Sequence, residues 1–366
     1  MFTFLTVYKA SNNRLSPMFK RTHFIAFALI LWLPHILLAD WNQDFDEQTS
    51  RLIQDVPQLQ NHAFFVDYDF FLRARGRLLE DQNLINLLKD IKPLEKKIIV
   101  REDLGLIIKK RRENNIRDLY SWELSHLLGS TAYVLPAFPL EIAGKRVIVQ
   151  KLETFEFGDK EGGGYSPNRL KTVSLETYWK AHLQAYLLGF GDLAAPNVGV
   201  NASGMIRFFD NESSLIYFNI PFKEERSFIV GFVSQSFDWP HYRIPLDSHA
   251  AKKIKAFVEI CLANEPYLRI YMKSRGQSEE AGLLERLDKL RRFSFKQGVC
   301  FRDFFGNLYP KLNPGLDKLN QLVSSMWGRP VDHGSALFFA CQYMHEVSLS
   351  SKQKKDIQKW VAKYID

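Results

Sequence analysis

The stretch LLGFGDLAAPNVGVNASGMIRFFDNESS, residues 187–214, sets three oxygen-bearing side chains, Asp192, Asn197 and Asp210, around two short apolar runs. The runs, Val198 to Val200 and Met205 to Phe209, flank the turn-rich tetrad Asn201-Ala202-Ser203-Gly204, a pattern that predicts an antiparallel hairpin. Asn197 immediately precedes the first run and Asp210 immediately follows the second. A hairpin therefore brings their side chains together at its open end. An amide oxygen and a carboxylate held there are hard ligands suited to Mg²⁺ with a nucleotide's phosphates. Asp192, on the preceding loop, is free to orient or deprotonate an attacking hydroxyl.

Upstream, Leu175, Tyr178, Trp179, His182 and Tyr186 recur at helical spacing and lead to Gly189, which can end a helix in the left-handed conformation. Before that helix, β-like runs at Lys97 to Val100, Leu104 to Ile108, Ala132 to Leu135 and Arg146 to Val149 enclose a helical pattern from Ile116 to Leu128. The order is strand, strand, helix, strand, strand. In that helix Asn115 fits the cap, Gly129 the stop, and Ile116, Leu119, Tyr120, Leu124 and Leu127 one apolar stripe. Glu123 falls inside the stripe, so its carboxylate is expected to point inward and to need a partner. Lys109 or Lys110, at the end of the preceding strand, is the expected one.

The chain of 366 residues carries a net charge of +8, with 46% apolar and 25% charged residues. That composition excludes wholesale disorder and suits anionic partners. Lys20 and Arg21, the apolar run Phe24 to Leu33 and the small-residue end at Ala39 follow the order of a cleavable secretory signal, with translation expected from Met18. Residues 1–39 are thus assigned to a signal peptide and the protein to export, whether secreted, periplasmic or luminal. Residues 40–90 read as an N-terminal extension ending in a helix from Leu78 to Leu88, 91–157 as a small mixed β/α part, 158–173 as a mobile linker and 174–366 as a mainly helical part. Cys261, Cys300 and Cys341 leave room for one disulfide and no disulfide framework. The histidines lack HExxH-type spacing, which argues against a zinc hydrolase. The tripeptide inside Phe301 to Gly306 sits in a helical region, without a catalytic loop just upstream.

The segments GDLAAPNVGV and GMIRFFDNESS resemble the catalytic loop and metal-binding segment of protein-kinase-like folds, in particular phosphoinositide-kinase-like and secretory-pathway atypical kinases. The resemblance spans residues 95 to 215 and implies an α+β, two-lobed architecture with a small mixed N-lobe and a larger, mainly helical C-lobe. It further implies Asp192 as catalytic base, Asn197 and Asp210 as metal ligands, Lys109 as the phosphate-pairing lysine, Glu123 as its helix partner, and an adenine against Lys151 to Glu153. The expected cofactors are ATP and Mg²⁺, and the expected reaction is phosphoryl transfer to a hydroxyl, a protein acceptor ahead of a lipid. A secreted pseudokinase that binds a protein partner without catalysis is the alternative. An anionic membrane surface is a further expected partner; a specific nucleic acid is not. The sequence departs from the kinase pattern in lacking a glycine-rich loop before Lys109 and in carrying Leu193, Ala194 and Asn211 beside the two aspartates.

Overall fold

The computed structural model describes residues 41–92, 95, 97–110, 117–130, 133–154, 159–161, 164–166, 173–190, 197–208, 239–275, 282–310, 312–331, 336–337, 339–343 and 349–364. The signal segment, Asp192 and Asp210 lie outside the described residues. Two compact units divide the chain, 1–51 and 52–366, and the boundary falls within the first described helix, α1 (Trp41–Asp55). Among the described residues no helix is long and apolar enough to cross a membrane.

The second unit is mixed α+β with a mostly helical remainder. It opens with α2 (His62–Glu80) and α3 (Gln82–Asp90). The single helix expected from Leu78 to Leu88 is two, because the Asp81 carboxylate accepts from Leu84 N at 3.0 Å and caps a new start. Strands β1 (Lys97–Arg101) and β2 (Leu106–Lys110), helix α4 (Arg117–Leu127), and strands β3 (Ala137–Ile142) and β4 (Lys145–Lys151) follow in the expected order. The strands form one antiparallel sheet, ordered β1-β2-β4-β3. Pro139 sits in edge strand β3, where a missing backbone donor costs no ladder bond.

The expected strand at Ala132 to Leu135 starts instead at Ala137. Tyr133 and Val134 are engaged elsewhere: Phe208 N donates to Tyr133 O at 2.7 Å and Val134 bridges to Phe208. The expected linker over 158–173 holds a short hairpin, β5 (Asp159–Glu161) and β6 (Gly164–Ser166). After it come α5 (Leu175–Leu188), β7 (Val198–Val200) and β8 (Ile206–Phe208), then helices α6 (Ser248–Ala263), α7 (Glu265–Ser274), α8 (Gly282–Arg292), α9 (Phe301–Leu308), α10 (Asn313–Trp327) and α11 (Ser351–Tyr364). Pro314 occupies the first turn of α10, where its absent N–H is unneeded. Among the described residues no disulfide joins Cys261, Cys300 or Cys341.

Strand register sorts the sheet into two faces, because side chains alternate along a strand. Leu106, Ile108 and Lys110 of β2 share a face with Val149 of β4 and Phe138 of β3. Helix α2 covers this face, with Phe71 stacked on Phe138 at 5.6 Å between ring centroids and Tyr68 edge-on at 5.7 Å. Ile107 and Lys109 share the opposite face with Ile148 and Gln150.

Candidate functional site

The hairpin at the centre of the sequence reading forms with the register Val198↔Phe208 and Val200↔Ile206. Its turn is organised by Asn201, whose side-chain oxygen accepts from Ser203 N and Met205 N, both at 3.0 Å, while Gly204 supplies a φ of +73°. Asn197 is half-buried at the open end. Asp210 follows Phe208 by two residues in sequence.

The helix leading into this region ends as expected, at Gly189 with φ +65°. Arg286 of α8, buried, donates from Nε and Nη2 to Leu187 O at 3.2 and 3.0 Å, closing the last turn of α5. A Cβ on Gly189 would lie 3.1 Å from the guanidinium. The end of α5 is thereby set by a residue about a hundred positions downstream. His182 and His126 lie on helix faces, as their spacing suggests, and are buried among aromatic rings. Burial holds the His182 imidazole down to about 3, against the opposing hydrogen bond to Tyr178 O.

Lys109 and Lys110 separate onto opposite faces of the sheet. Lys110 lies on the α2 side, and burial, aided by Lys145, lowers its pKa against the pull of Glu95. Lys109 is buried on the opposite face and forms no ion pair with a carboxylate among the described residues.

Glu123 points inward, with no exposure at all. Its expected lysine partner is not there: neither Lys109 nor Lys110 comes within ion-pair distance. Instead Tyr271 OH donates to Oε2 at 2.6 Å, Arg275 Nε to Oε2 at 3.2 Å, and Arg275 Nη2 to Oε1. The physical reason is that α4 is buried on nearly every side. Trp122 stacks on Phe64 of α2 at 4.9 Å, so the next residue, Glu123, is turned toward α7. Burial opposes the charge on Arg275, but the Glu123 carboxylate holds its pKa above the ordinary arginine value. The same junction fastens the end of α4: Asn264 Nδ2 donates to Leu127 O at 2.7 Å and Cys261 Sγ to Leu128 O at 3.4 Å. Helix α4 is therefore tied to α6 and α7.

Glu153, expected beside an adenine, is also committed elsewhere. Its carboxylate accepts from Asn201 Nδ2 at 2.7 Å and pairs with Arg207 Nε at 3.1 Å, fixing the chain after β4 to the β7–β8 hairpin. Lys151 turns the other way, toward Asp67 at 3.6 Å and over the Phe70 ring. The backbone here is engaged as well, Lys151 N donating to Pro136 O at 3.3 Å and Leu152 N to Gly105 O at 2.8 Å.

The structure thus brings together the hairpin, the chain following β4 and the segment entering β3. It does not bring Glu123 to Lys109. Sequence reading missed Arg275, Tyr271 and Arg286, which carry no local signal. It also missed Gln150, whose signal was a polar residue at an inward position of the run Val147-Ile148-Val149-Gln150. Among the described residues no group of three or more His, Cys, Asp or Glu could hold a metal ion. Comparison with protein-family models and with curated proteins finds no match for this chain.

Proposed function

We propose that the chain is a Mg²⁺- and ATP-dependent phosphotransferase of two-lobed, protein-kinase-like fold that acts on a hydroxyl acceptor, a protein ahead of a lipid. The observation that carries this reading is the hairpin register together with its tie to the sheet. Val198↔Phe208 puts Asn197 at the open end, and the Phe208 N to Tyr133 O bond fastens that end to the chain entering β3. Sheet order β1-β2-β4-β3, with α4 between β2 and β3, agrees with the resemblance and leaves Lys109 on the face away from α2.

In this reading Asn197 and Asp210 hold Mg²⁺ against the nucleotide phosphates and Lys109 pairs with them. Asp192 accepts the proton of the acceptor hydroxyl as its oxygen bonds to the γ-phosphorus and the bond to ADP breaks. The test is thermal unfolding of the whole protein with and without Mg²⁺ and ATP, joined to transfer of labelled γ-phosphate. Asp210→Ala is expected to lose the nucleotide-induced rise in unfolding temperature, whereas Asp192→Ala keeps that rise and loses turnover. A wild-type protein whose unfolding temperature ignores Mg²⁺ and ATP sinks the reading.

One observation favours the alternative, a pseudokinase that binds without chemistry. Glu123 is engaged by Arg275, so Lys109 lacks the carboxylate that would hold it against the phosphates. Nucleotide binding without transfer to any acceptor, the protein itself included, selects that reading.

A further inference from the structure

Gln150 ends the inward run of β4 with no solvent exposure, and neither its Nε2 nor its Oε1 has a hydrogen-bond partner among the described residues. An amide buried without partners is destabilising, because both groups lose water and gain nothing. Such a group calls for an explanation. Register sets Gln150 beside Ile107 and Ala137, and diagonal to Lys109 on the same face. Diagonal neighbours across an antiparallel pair lie about 7–8 Å apart, within reach of one ligand. A cation and a donor–acceptor amide that lack partners among the described residues thus share one face, which β4 leaves through the chain anchored at Glu153.

We propose that the Gln150 amide reads the base of the nucleotide, taking one hydrogen bond from it and giving one to it, while Lys109 meets the phosphates. The inference rests on the nucleotide reading above. The base it fits carries a donor and an acceptor side by side, as adenine does at its 6-amino group and adjoining ring nitrogen. With neither end of the amide anchored, it can turn over and match the reversed order at the 6-oxo edge of hypoxanthine. Gln150 is closed to water in the free chain, so the base has to displace what covers the strand. Until then the free protein carries two unsatisfied groups.

The experiment measures binding of ATP, inosine triphosphate and purine riboside triphosphate, which lacks any 6-substituent, to the whole protein with Mg²⁺. Wild type is expected to bind the first two within about fivefold of each other and the third about 10- to 100-fold more weakly, the worth of a bidentate amide–base pair. Gln150→Met, of like shape, should bring ATP down to the level of purine riboside triphosphate. Lys109→Ala should weaken all three alike and keep their ratios. Without ligand, Gln150→Met should unfold at or above the wild-type temperature, since it removes unsatisfied groups from the interior.

Equal binding of all three by wild type, a ratio unchanged in Gln150→Met, or a tenfold preference between ATP and inosine triphosphate overturns the proposal while leaving the nucleotide reading standing. A ligand-free Gln150→Met that unfolds several degrees lower also overturns it, by making the amide structural. Failure of all three nucleotides to bind removes the nucleotide reading, and the base-reading role with it.

Discussion

Breaking the pair between Glu123 and Arg275 is expected to cost far more than breaking any surface ion pair of this protein. Both side chains are buried, at 0% and 5% exposure, and the carboxylate takes three hydrogen bonds, two from Arg275 and one from Tyr271. Glu123→Ala takes from the buried guanidinium its Glu123 carboxylate, and Arg275→Ala leaves that carboxylate with the Tyr271 hydroxyl. Removing one member of a buried pair costs about 3–5 kcal/mol. Once the first charge has gone, removing the second relieves the penalty, so the double variant Glu123→Met/Arg275→Met should lie well short of the sum. A coupling energy of about 2–3 kcal/mol is expected, at the upper end for contacting residues. Urea unfolding of the two single Met variants and the double, at constant pH, measures it. The same cycle run on Glu123 and Lys109 should give a coupling near zero. Additive losses at Glu123 and Arg275, or strong coupling at Lys109, would refute the assignment and restore the lysine as the partner.

Acidification offers a separate check, because burial depresses the His126 imidazole to about 4. Asn61 Nδ2 faces its Nδ1 at 3.2 Å, while its Nε2 has no partner among the described residues. The unfolded chain binds this proton near pH 6.5, so the stability is full above that value and is lost as pH falls toward 4. The loss is on the order of 3 kcal/mol; urea midpoints at pH 7.5, 5.5 and 4.5 should decline in wild type and less steeply in His126→Gln, and parallel declines would count against burial of the neutral ring. Gly189→Ala forces a side chain into a φ of +65° beside the Arg286 guanidinium and should lower stability by about 1–2 kcal/mol, read by denaturant titration. Gly76→Ala, in a helix with no neighbour within 4 Å of the new methyl group, is the matched control and should be neutral or stabilising. Asn201→Ala removes the turn's internal acceptor and a donor to Glu153; it should speed amide exchange across residues 198–208, and unchanged exchange there would show that the backbone alone holds the turn.

Much of this protein could be read locally. The hairpin at 198–208 needed only a turn tetrad between two apolar runs, and the end of α5 needed only Gly189 after a helical stripe. The strand–strand–helix–strand–strand order followed from changes of hydrophobic period, and the inward direction of Glu123 from its place within an apolar stripe. Each of these depends on residues a few positions apart, where backbone geometry fixes the outcome. What Glu123 meets is another kind of question, because Tyr271 and Arg275 stand 148 and 152 residues further on and nothing near residue 123 points to them. The separation of Lys109 and Lys110 onto opposite faces turned on strand register, which exists only once β2 has paired with β4. Glu153 was read as free for a ligand, whereas the docking of the hairpin turn gave it Asn201 and Arg207. Gln150 lost its water, and gained no partner, only when the sheet closed over it. Sequence spacing determines which way a side chain points on its own element; only tertiary packing determines what lies there to receive it.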